Sequence, residues 1–402
     1  MNFPENSIIE KGASSTVVTM GVFCYNFFRM RIGIDTFGCD HARSGIGTYL
    51  LSFASNLPEE SDIEIEFFGA EIDRYTYTSG KDIGFESVQL PESLNALRLW
   101  HFTNINKFAS QRHYDAIIYP APDRVLPISF NVPGIAVVNS ILSGKVEGNR
   151  DWIQKLQIKR GLFKVPKIIA ASNFIKSDLV RHGVGEEKID VVHNGIDHKL
   201  FFPSVEFESD TVSIKPFAIK KPYFIYCSKI SGPAKKHVEL IRAFSSFKEK
   251  TGFPHRLVLA GSDGSYAAEV HKAALDSPCA SDIFLTGYFP HESLPKLYSG
   301  AVACIFPSVK EGVGLPVLEA MACGVPVLCS KASALPEIGG ESALYFDSDD
   351  IEGMAKCMEK IVSDSELRNR MSVAGQEWAR AFDWRFTVKN TLDLIRKMIK
   401  KD

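Results

Sequence analysis

No apolar run in this 402-residue chain reaches the roughly 18 residues needed to cross a bilayer, so no segment reads as a membrane span. Charge of one sign is equally scarce: 46 Lys+Arg stand against 48 Asp+Glu, a formal net charge of -2. A polyanion would find no bulk surplus of cations to replace its counterions, and nucleic acid is not an expected partner. The eight cysteines contain no C-x-x-C pair, and several sit in apolar runs such as Ala303-Cys304-Ile305-Phe306. That pattern suits reduced, buried thiols of a cytosolic protein better than a disulfide framework or a zinc knuckle. Residues 17–28 are apolar enough to imitate a secretory h-region, but only Lys11 precedes them closely and no A-x-A cleavage site follows. We read residues 1–29 as an N-terminal extension, with a misassigned start codon as its simplest account, because the first strand of a domain opens at Met30. What is present is 45% hydrophobic and 23% charged residues. At about 100 to 200 residues per domain, the chain suffices for two or three domains with cores of their own.

Short β-branched runs alternate with longer helical patterns along almost the whole length, the signature of parallel βαβ units. The strand candidates of the first half are residues 31–35, 63–68, 116–119, 135–138, 167–171 and 189–192. The rhythm restarts with 223–227, 256–260, 283–286, 301–306, 325–329 and 343–346. Between them, residues 197–222 hold three prolines and no clear period. The sequence therefore predicts an α/β protein: a first doubly wound domain over 30–205, a linker over 206–222, a second doubly wound domain over 223–384, and a closing helix over 385–402. The two sheets should face one cleft. Open parallel sheets bind ligands beyond the carboxyl ends of their strands, which directs attention to the loops there.

The most informative loop lies in residues 311–327, E-G-V-G-L-P-V-L-E-A-M-A-C-G-V-P-V, which follow a strand ending near Pro307. Pro316 suits a first helical turn and Gly324 a C-terminal cap. This predicts free N–H groups near Leu315 and Val317 pointing into the cleft, a phosphate site by virtue of the helix start. Glu311 before the helix and Glu319 inside it are placed to accept hydrogen bonds from sugar hydroxyls. A second loop, residues 226–237, carries Lys229, Lys235 and Lys236 after a parallel strand. Such a lysine cluster can neutralise a diphosphate leaving group. In the first half, R-S-G-I-G-T-Y-L over residues 43–50 follows the opening strand and begins a helix. Gly45 and Gly47 there would let the backbone approach a phosphate or an acceptor.

With these residues in view, the chain resembles the retaining glycosyltransferases of the GT-B fold, family 4 (glycosyl transferases group 1), mannosyltransferase-like. Their E-G-F-G-L-P-x-L-E-A-M-A-C-G-x-P-V motif matches residues 311–327, with Val313 where Phe is usual. The resemblance implies that Glu311 binds hydroxyls of the donor sugar. Gly314, Leu315 and Pro316 would lie against the sugar and diphosphate, and Glu319 would hold the ribose. Residues 228–236 are similar to the family's G-R-x5-K stretch. Lys229 and Lys236 then stand for the two cations on the diphosphate, with one extra residue between them. T-G-Y-F over 286–289 resembles the segment that receives the base, placing Tyr288 and the neighbouring Gly261 there; a core role for Tyr288 is the competing reading. Residues 43–50 are similar to G-G-x-G-R-Y, and N-G-I-D over 194–197 matches the family's N-G-x-D at the hinge side of the cleft. Where relatives carry His-Asp, the chain has Asn139-Ser140. Asn139 can hydrogen-bond a hydroxyl but does not titrate, and His101 or His113 is the alternative source of an imidazole. D-S-D-D over 347–350 imitates a metal-binding D-x-D, yet its position after a late strand fits a solvated loop.

The resemblance implies a metal-independent, retaining hexosyltransferase. It would move a hexose, mannose from GDP-mannose favoured, from a nucleotide-diphosphate sugar to a glycan or lipid-linked acceptor in bacterial surface polysaccharide or lipopolysaccharide synthesis. No cofactor is expected, the nucleotide sugar being a substrate. Two alternatives stay open: a non-catalytic nucleotide-sugar-binding protein of the same fold, and a sugar-nucleotide epimerase of that fold. The mixture of aromatics and cations over residues 94–112 is compatible with peripheral contact at the inner face of the cytoplasmic membrane, or with an amphipathic helix packed on its own sheet.

Overall fold

The computed structural model describes residues 29–59, 62–81, 83–143, 152–203, 210–214 and 217–400. The expected N-terminal extension lies outside them apart from Arg29. The first sheet contains β1 (Met30–Asp35), β2 (Ile63–Gly69), β3 (Gly84–Ser87), β4 (Ala116–Tyr119), β5 (Gly134–Val138), β6 (Lys167–Ala170) and β7 (Ile189–Val191). Their order is β3-β2-β1-β4-β5-β6-β7, every pair parallel. After the short pair β8 (Thr211–Ile214) and β9 (Phe217–Lys220) comes a second parallel sheet. It is built from β10 (Tyr223–Cys227), β11 (Arg256–Ala260), β12 (Ile283–Gly287), β13 (Ala303–Phe306), β14 (Val327–Ser330) and β15 (Ala343–Phe346), in the order β12-β11-β10-β13-β14-β15.

Both sheets reverse their strand order at one place, between β1 and β4 and between β10 and β13. These are the topological switch points where a crevice opens beyond the strand ends. Helices cover both faces, so all five residues of β10 are buried and the strand reads as an unbroken apolar run. The helix His237–Thr251 shows how local signals fix the crossovers. Leu240, Ile241, Phe244 and Phe247 bury one stripe, and Gly252 in the left-handed region (φ 65°) ends it.

Two features differ from expectation. β3 is short and polar, and only Phe85 is buried, which leaves little periodic signal for an edge strand. Residues within the expected linker form β8 and β9, an antiparallel pair whose Val212 and Ile219 enter the second core. The linker is therefore shorter than 206–222, because the T-V-S-I alternation of β8 buries every second residue on the second domain.

The chain returns at its end to the first domain. Asp383 caps the helix Trp384–Ile399, which sends Trp384, Val388, Leu392 and Ile395 into the core around Ile32, Tyr49 and Phe53. The Trp384 ring stands edge-on to Tyr49 at 5.4 Å between centroids. Gly195 allows the crossing, since a Cβ there would lie 2.1 Å from the Trp384 backbone nitrogen.

Candidate active site

The loop after β13 is held from both sides before it reaches the cleft. Val309 N donates to Ala234 O at 2.9 Å, Ser333 Oγ to Val309 O at 2.6 Å, and Ala334 N to Glu311 O at 3.1 Å. Gly314 then turns the chain in the left-handed region (φ 70°) and begins the helix Leu315–Ala322, with Pro316 in its first turn. Val317 N does not face the cleft as a free donor, because it closes a short bond to Gly314 O at 3.0 Å. Pro316 has no N–H, so Leu315 supplies the helix-start donor that the sequence assigned to both Leu315 and Val317.

The two carboxylates of the motif have different surroundings. Glu311 is mostly buried and accepts from Lys235 Nζ at 2.7 Å. Glu319 is 7% exposed. Its Oε2 accepts from the buried Tyr298 hydroxyl and its Oε1 faces His291 Nε2, both at 3.3 Å. That bond from Glu319 raises the His291 pKa against the opposing effect of burial, with Glu292 and Asp197 adding to it. The His291 ring also stands edge-on to Phe201 at 5.1 Å, so it forms a lid over Glu319.

The three lysines after β10 separate. Lys229 is exposed, with no side-chain partner among the described residues. Lys236 occupies the left-handed region (φ 57°) as the N-cap of His237–Thr251. Its Nζ is engaged by Asp349 at 2.7 Å and Glu239 at 3.0 Å, and those bonds raise its pKa. Lys235, which the motif comparison passed over, is the one that reaches Glu311. The side-chain directions follow from the left-handed turn, which a one-residue surplus in the loop conceals in the sequence. Asp347 and Asp350 of the D-x-D lookalike accept backbone bonds in their own turn and helix cap, and Asp349 holds Lys236.

Gly261 is required by packing, since a Cβ would lie 2.1 Å from Ser228 O. Gly261 N donates to Gly287 O, joining the loops after β11 and β12. Tyr288, next to Gly287 (φ 71°), is 74% exposed and does not belong to the core.

On the first domain, Ser44 caps the helix Gly45–Ser55. Gly45 is open, with nothing within 4 Å of a Cβ built there. Gly47 is closed: its Cβ would lie 2.2 Å from Cys39 O and 2.6 Å from Ala42 Cα. Its small size therefore serves the preceding turn rather than a ligand's approach. That turn places Asp40, His41 and Ala42 all in the left-handed region (φ 52°, 51° and 62°). It is pinned by His41 Nδ1 on Asp73 at 2.7 Å, by Tyr77 Oη accepting from Ala42 N at 2.8 Å, and by an Asp40–Arg124 ion pair.

Asn139 follows β5 at the cleft. Its Oδ1 accepts from Asn194 Nδ2 at 3.0 Å, and its own Nδ2 is buried with no partner among the described residues. A Cβ on Gly312 would lie 3.2 Å from Asn139 O, so the Glu311 loop and Asn139 meet across the domains. Ser172 Oγ adds a bond to Gly312 O at 2.7 Å, and Val313 packs against the first-domain core. Neither histidine offered as a substitute reaches this point freely. His113 sits exposed in a turn ahead of β4, and His101 is buried, with Nδ1 on Leu97 O and Nε2 on Asp35 Oδ2, both at 2.7 Å.

Glu337, which the sequence reading did not single out, ties the domains together. Its carboxylate accepts from Asn173 N, Asn173 Nδ2 and Phe174 N at 2.8, 2.9 and 3.3 Å, and faces His193 Nε2 at 2.6 Å. The only local hint was an acid beside Pro336 after β14.

Comparison with known proteins agrees with this architecture. Residues 43–200 match the family model described as Glycosyltransferase Family 4, and residues 209–378 the one described as Glycosyl transferases group 1. The O-antigen chain mannosyltransferase B of Escherichia coli is 26% identical over 384 residues, covering 91% of this chain and 100% of that protein. Sucrose-phosphate synthase from Thermosynechococcus elongatus superposes with a TM-score of 0.71 at 19% identity, over 93% of this chain and 100% of that one. Anabaena HepE in complex with UDP does so with a TM-score of 0.71 at 18% identity, over 92% and 100%. The two parallel-sheet domains are thus a GT-B fold, and the protein is a glycosyltransferase. It belongs to the group 1, family 4 glycosyltransferases, with the family 4 match in the first domain and the group 1 match in the second. Among the described residues, no helix is long and apolar enough to cross a membrane.

Proposed function

We propose that the protein is a retaining, metal-independent hexosyltransferase that takes mannose from GDP-mannose and gives it to a glycan or lipid-linked acceptor in bacterial surface polysaccharide or lipopolysaccharide synthesis. It works at the cytoplasmic side of the membrane. The observation that carries the reading is the Glu311–Lys235 pair beside the Leu315 helix start, at the switch point of the second sheet. Mannose and the pathway draw on the Escherichia coli relative, whose name describes an O-antigen chain mannosyltransferase. A nucleotide diphosphate as leaving group draws support from Anabaena HepE, solved with UDP.

In this reading the diphosphate lies between the Leu315 N–H and the lysines of the β10 loop. Lys235, Lys229 and Lys236 are its candidate cations, and they stabilise the negative charge that develops on the leaving oxygen without a metal. Glu311 exchanges its bond with Lys235 for hydroxyls of the donor sugar. Glu319 accepts from the ribose at the floor of the site, Tyr288 and the Gly261 loop border the base, and Asn139 presents its unpartnered amide to a sugar hydroxyl across the cleft. The acceptor oxygen attacks the anomeric carbon on the face the diphosphate leaves, so the C–O bond to phosphate breaks as the new glycosidic bond forms. The acceptor's proton leaves with the diphosphate. No covalent enzyme intermediate is needed.

Calorimetry with GDP, UDP and ADP in the absence of metal, followed by donor hydrolysis with the matching sugars, tests the proposal. Selective GDP binding, weakened by Glu319→Ala, with slow hydrolysis of GDP-mannose is the expected result. Nucleotide binding without hydrolysis or transfer of any donor would favour a binding protein instead, and absence of any diphosphate binding would remove the site assignment.

A further inference from the structure

Gly312, Val313 and Gly314 separate the Glu311 carboxylate from the Leu315 N–H. The two ends of that segment are fixed by the second domain. Ala334 N donates to Glu311 O at 3.1 Å, and the helix Leu315–Ala322 is anchored by Val317 and Leu318, both buried in the second core. The middle is fixed by the first domain. Ser172 Oγ donates to Gly312 O at 2.7 Å, and Val313 packs against the first-domain core that contains Ile175. A Cβ on Gly312 would lie 3.1 Å from Ile175 Cδ1 and 3.2 Å from Asn139 O. With a glycine on each side of Val313, the backbone there has few conformational limits of its own. Its path is set by what it touches, and what it touches belongs to the other domain.

Ser172 is well suited to this contact. It is buried, in extended backbone ahead of the helix Asn173–Arg181. A serine hydroxyl has one proton to give and lone pairs to accept with. Here a lone pair takes Ile175 N at 3.2 Å and caps the helix, so the proton is left for Gly312 O across the domain boundary. The first two N–H groups of the helix, those of Asn173 and Phe174, go to Glu337. The second domain thus meets the start of this first-domain helix at Glu337 and at Gly312, and Gly312 is the one that lies next to Glu311.

We propose that Ser172 is a positioning residue for Glu311. By holding Gly312 O, it sets the direction in which the Glu311 carboxylate leaves Lys235 and meets hydroxyls of the donor hexose. Recognition of the hexose then needs the first domain in place, whereas recognition of the nucleoside diphosphate, through Leu315, Glu319 and the lysines, belongs to the second domain alone. The inference rests on the donor site proposed above. It adds a residue of the opposite domain and a division of labour between hexose and nucleotide.

Calorimetry with GDP and steady-state hydrolysis of GDP-mannose test this on the full chain and on two variants that break the contact from opposite sides. Ser172→Ala removes the hydroxyl. Gly312→Ala keeps Ser172 and its helix cap, but its methyl group pushes the segment away from Ile175 and Asn139. In both variants kcat/KM for hydrolysis should fall about tenfold to a hundredfold, the larger figure being what a misplacement of about 1 Å can cost, while the Kd for GDP stays within about twofold of the wild type. Small-angle scattering of Ser172→Ala should match the wild type, since Glu337 still holds the domains. A merely structural role would move GDP binding and hydrolysis together. Such a joint loss, or unchanged hydrolysis in either variant with GDP bound normally, would overturn the inference and leave the donor site standing. A wild type that binds no nucleoside diphosphate would remove the donor site, and the role of Ser172 with it.

Discussion

Lys235 Nζ lies 2.7 Å from Glu311 Oε2, whereas Lys236, one residue later, turns away to Asp349 and Glu239. The left-handed backbone at Lys236 produces the divergence, directing two adjacent ammonium groups to opposite sides of the loop. Geometry thus places Lys235 beside Glu311, while the spacing of the motif favours Lys236 as the cation on the diphosphate. Lys235→Ala should weaken nucleoside diphosphate binding between about tenfold and a hundredfold, the range for a lost hydrogen bond between charged partners. Lys236→Ala should cost about 1 kcal/mol of stability or less, its partner Asp349 being exposed. Calorimetry and thermal melts on the two variants decide; the reverse pattern would return the role to Lys236.

Glu337 gathers four donors from the first domain onto one carboxylate of the second. Burial opposes its ionisation, but the bonds from His193 and Asn173 prevail and hold its carboxyl below the usual range. A depressed carboxylate pKa adds stability that is full above the unfolded value, near 4.3, and is lost as pH falls through the folded value. Glu337→Ala should lower stability by about 2 kcal/mol at neutral pH and expand the protein in small-angle scattering, by freeing the domains. The difference between variant and wild type should shrink below about pH 4. A difference that stays constant down to acid unfolding would show that the contact is not ionic.

Gly45 and Gly47 share a motif and have opposite requirements. Gly45→Ala meets open space at the helix start and should leave stability within about 0.5 kcal/mol of the wild type. Gly47→Ala would drive a Cβ into the Cys39 carbonyl and the Ala42 backbone, neither of which can rotate aside, and should cost about 2 kcal/mol or more. Urea midpoints measured at constant m value test both. A tolerated Gly47→Ala would mean that the Asp40–Ala42 turn has a second arrangement.

These contrasts show which parts of the structure were readable in advance. β10 and β13 were visible as Y-F-I-Y-C and A-C-I-F because strands covered on both faces need no polar alternation. The turn at Gly314 and the helix after it were marked by glycine and proline, whose backbone preferences are local. β8 escaped because four residues give two alternations, and the nearby prolines suggested a linker. Asp35 and His101 meet at 2.7 Å from 66 positions apart, and Glu337 reaches His193 over 144, distances at which no local pattern operates. The roles of Gly47 and Lys235 depend on left-handed residues that are not glycine, namely Asp40, His41, Ala42 and Lys236, for which composition gives little warning.

His291 and Glu319 form the last pair with a measurable consequence. The bond to Glu319 raises the His291 pKa, so His291 contributes stability that is full below its unfolded value, near 6.5, and disappears as pH rises through the folded value. The His291 side chain is 47% exposed, and solvent screening keeps the contribution to under about 1 kcal/mol. His291→Asn should therefore lower the melting temperature at pH 6 and leave it nearly unchanged at pH 8.5. If Glu319 also holds the ribose, protonated His291 competes with the nucleotide for the same carboxylate, and wild-type affinity for GDP should rise between pH 6 and pH 8. The variant should bind with a flatter pH profile. A melting difference that does not change with pH would mean that the two side chains are not coupled through the His291 proton. A parallel pH profile in variant and wild type would instead leave the pair intact and place the ribose elsewhere.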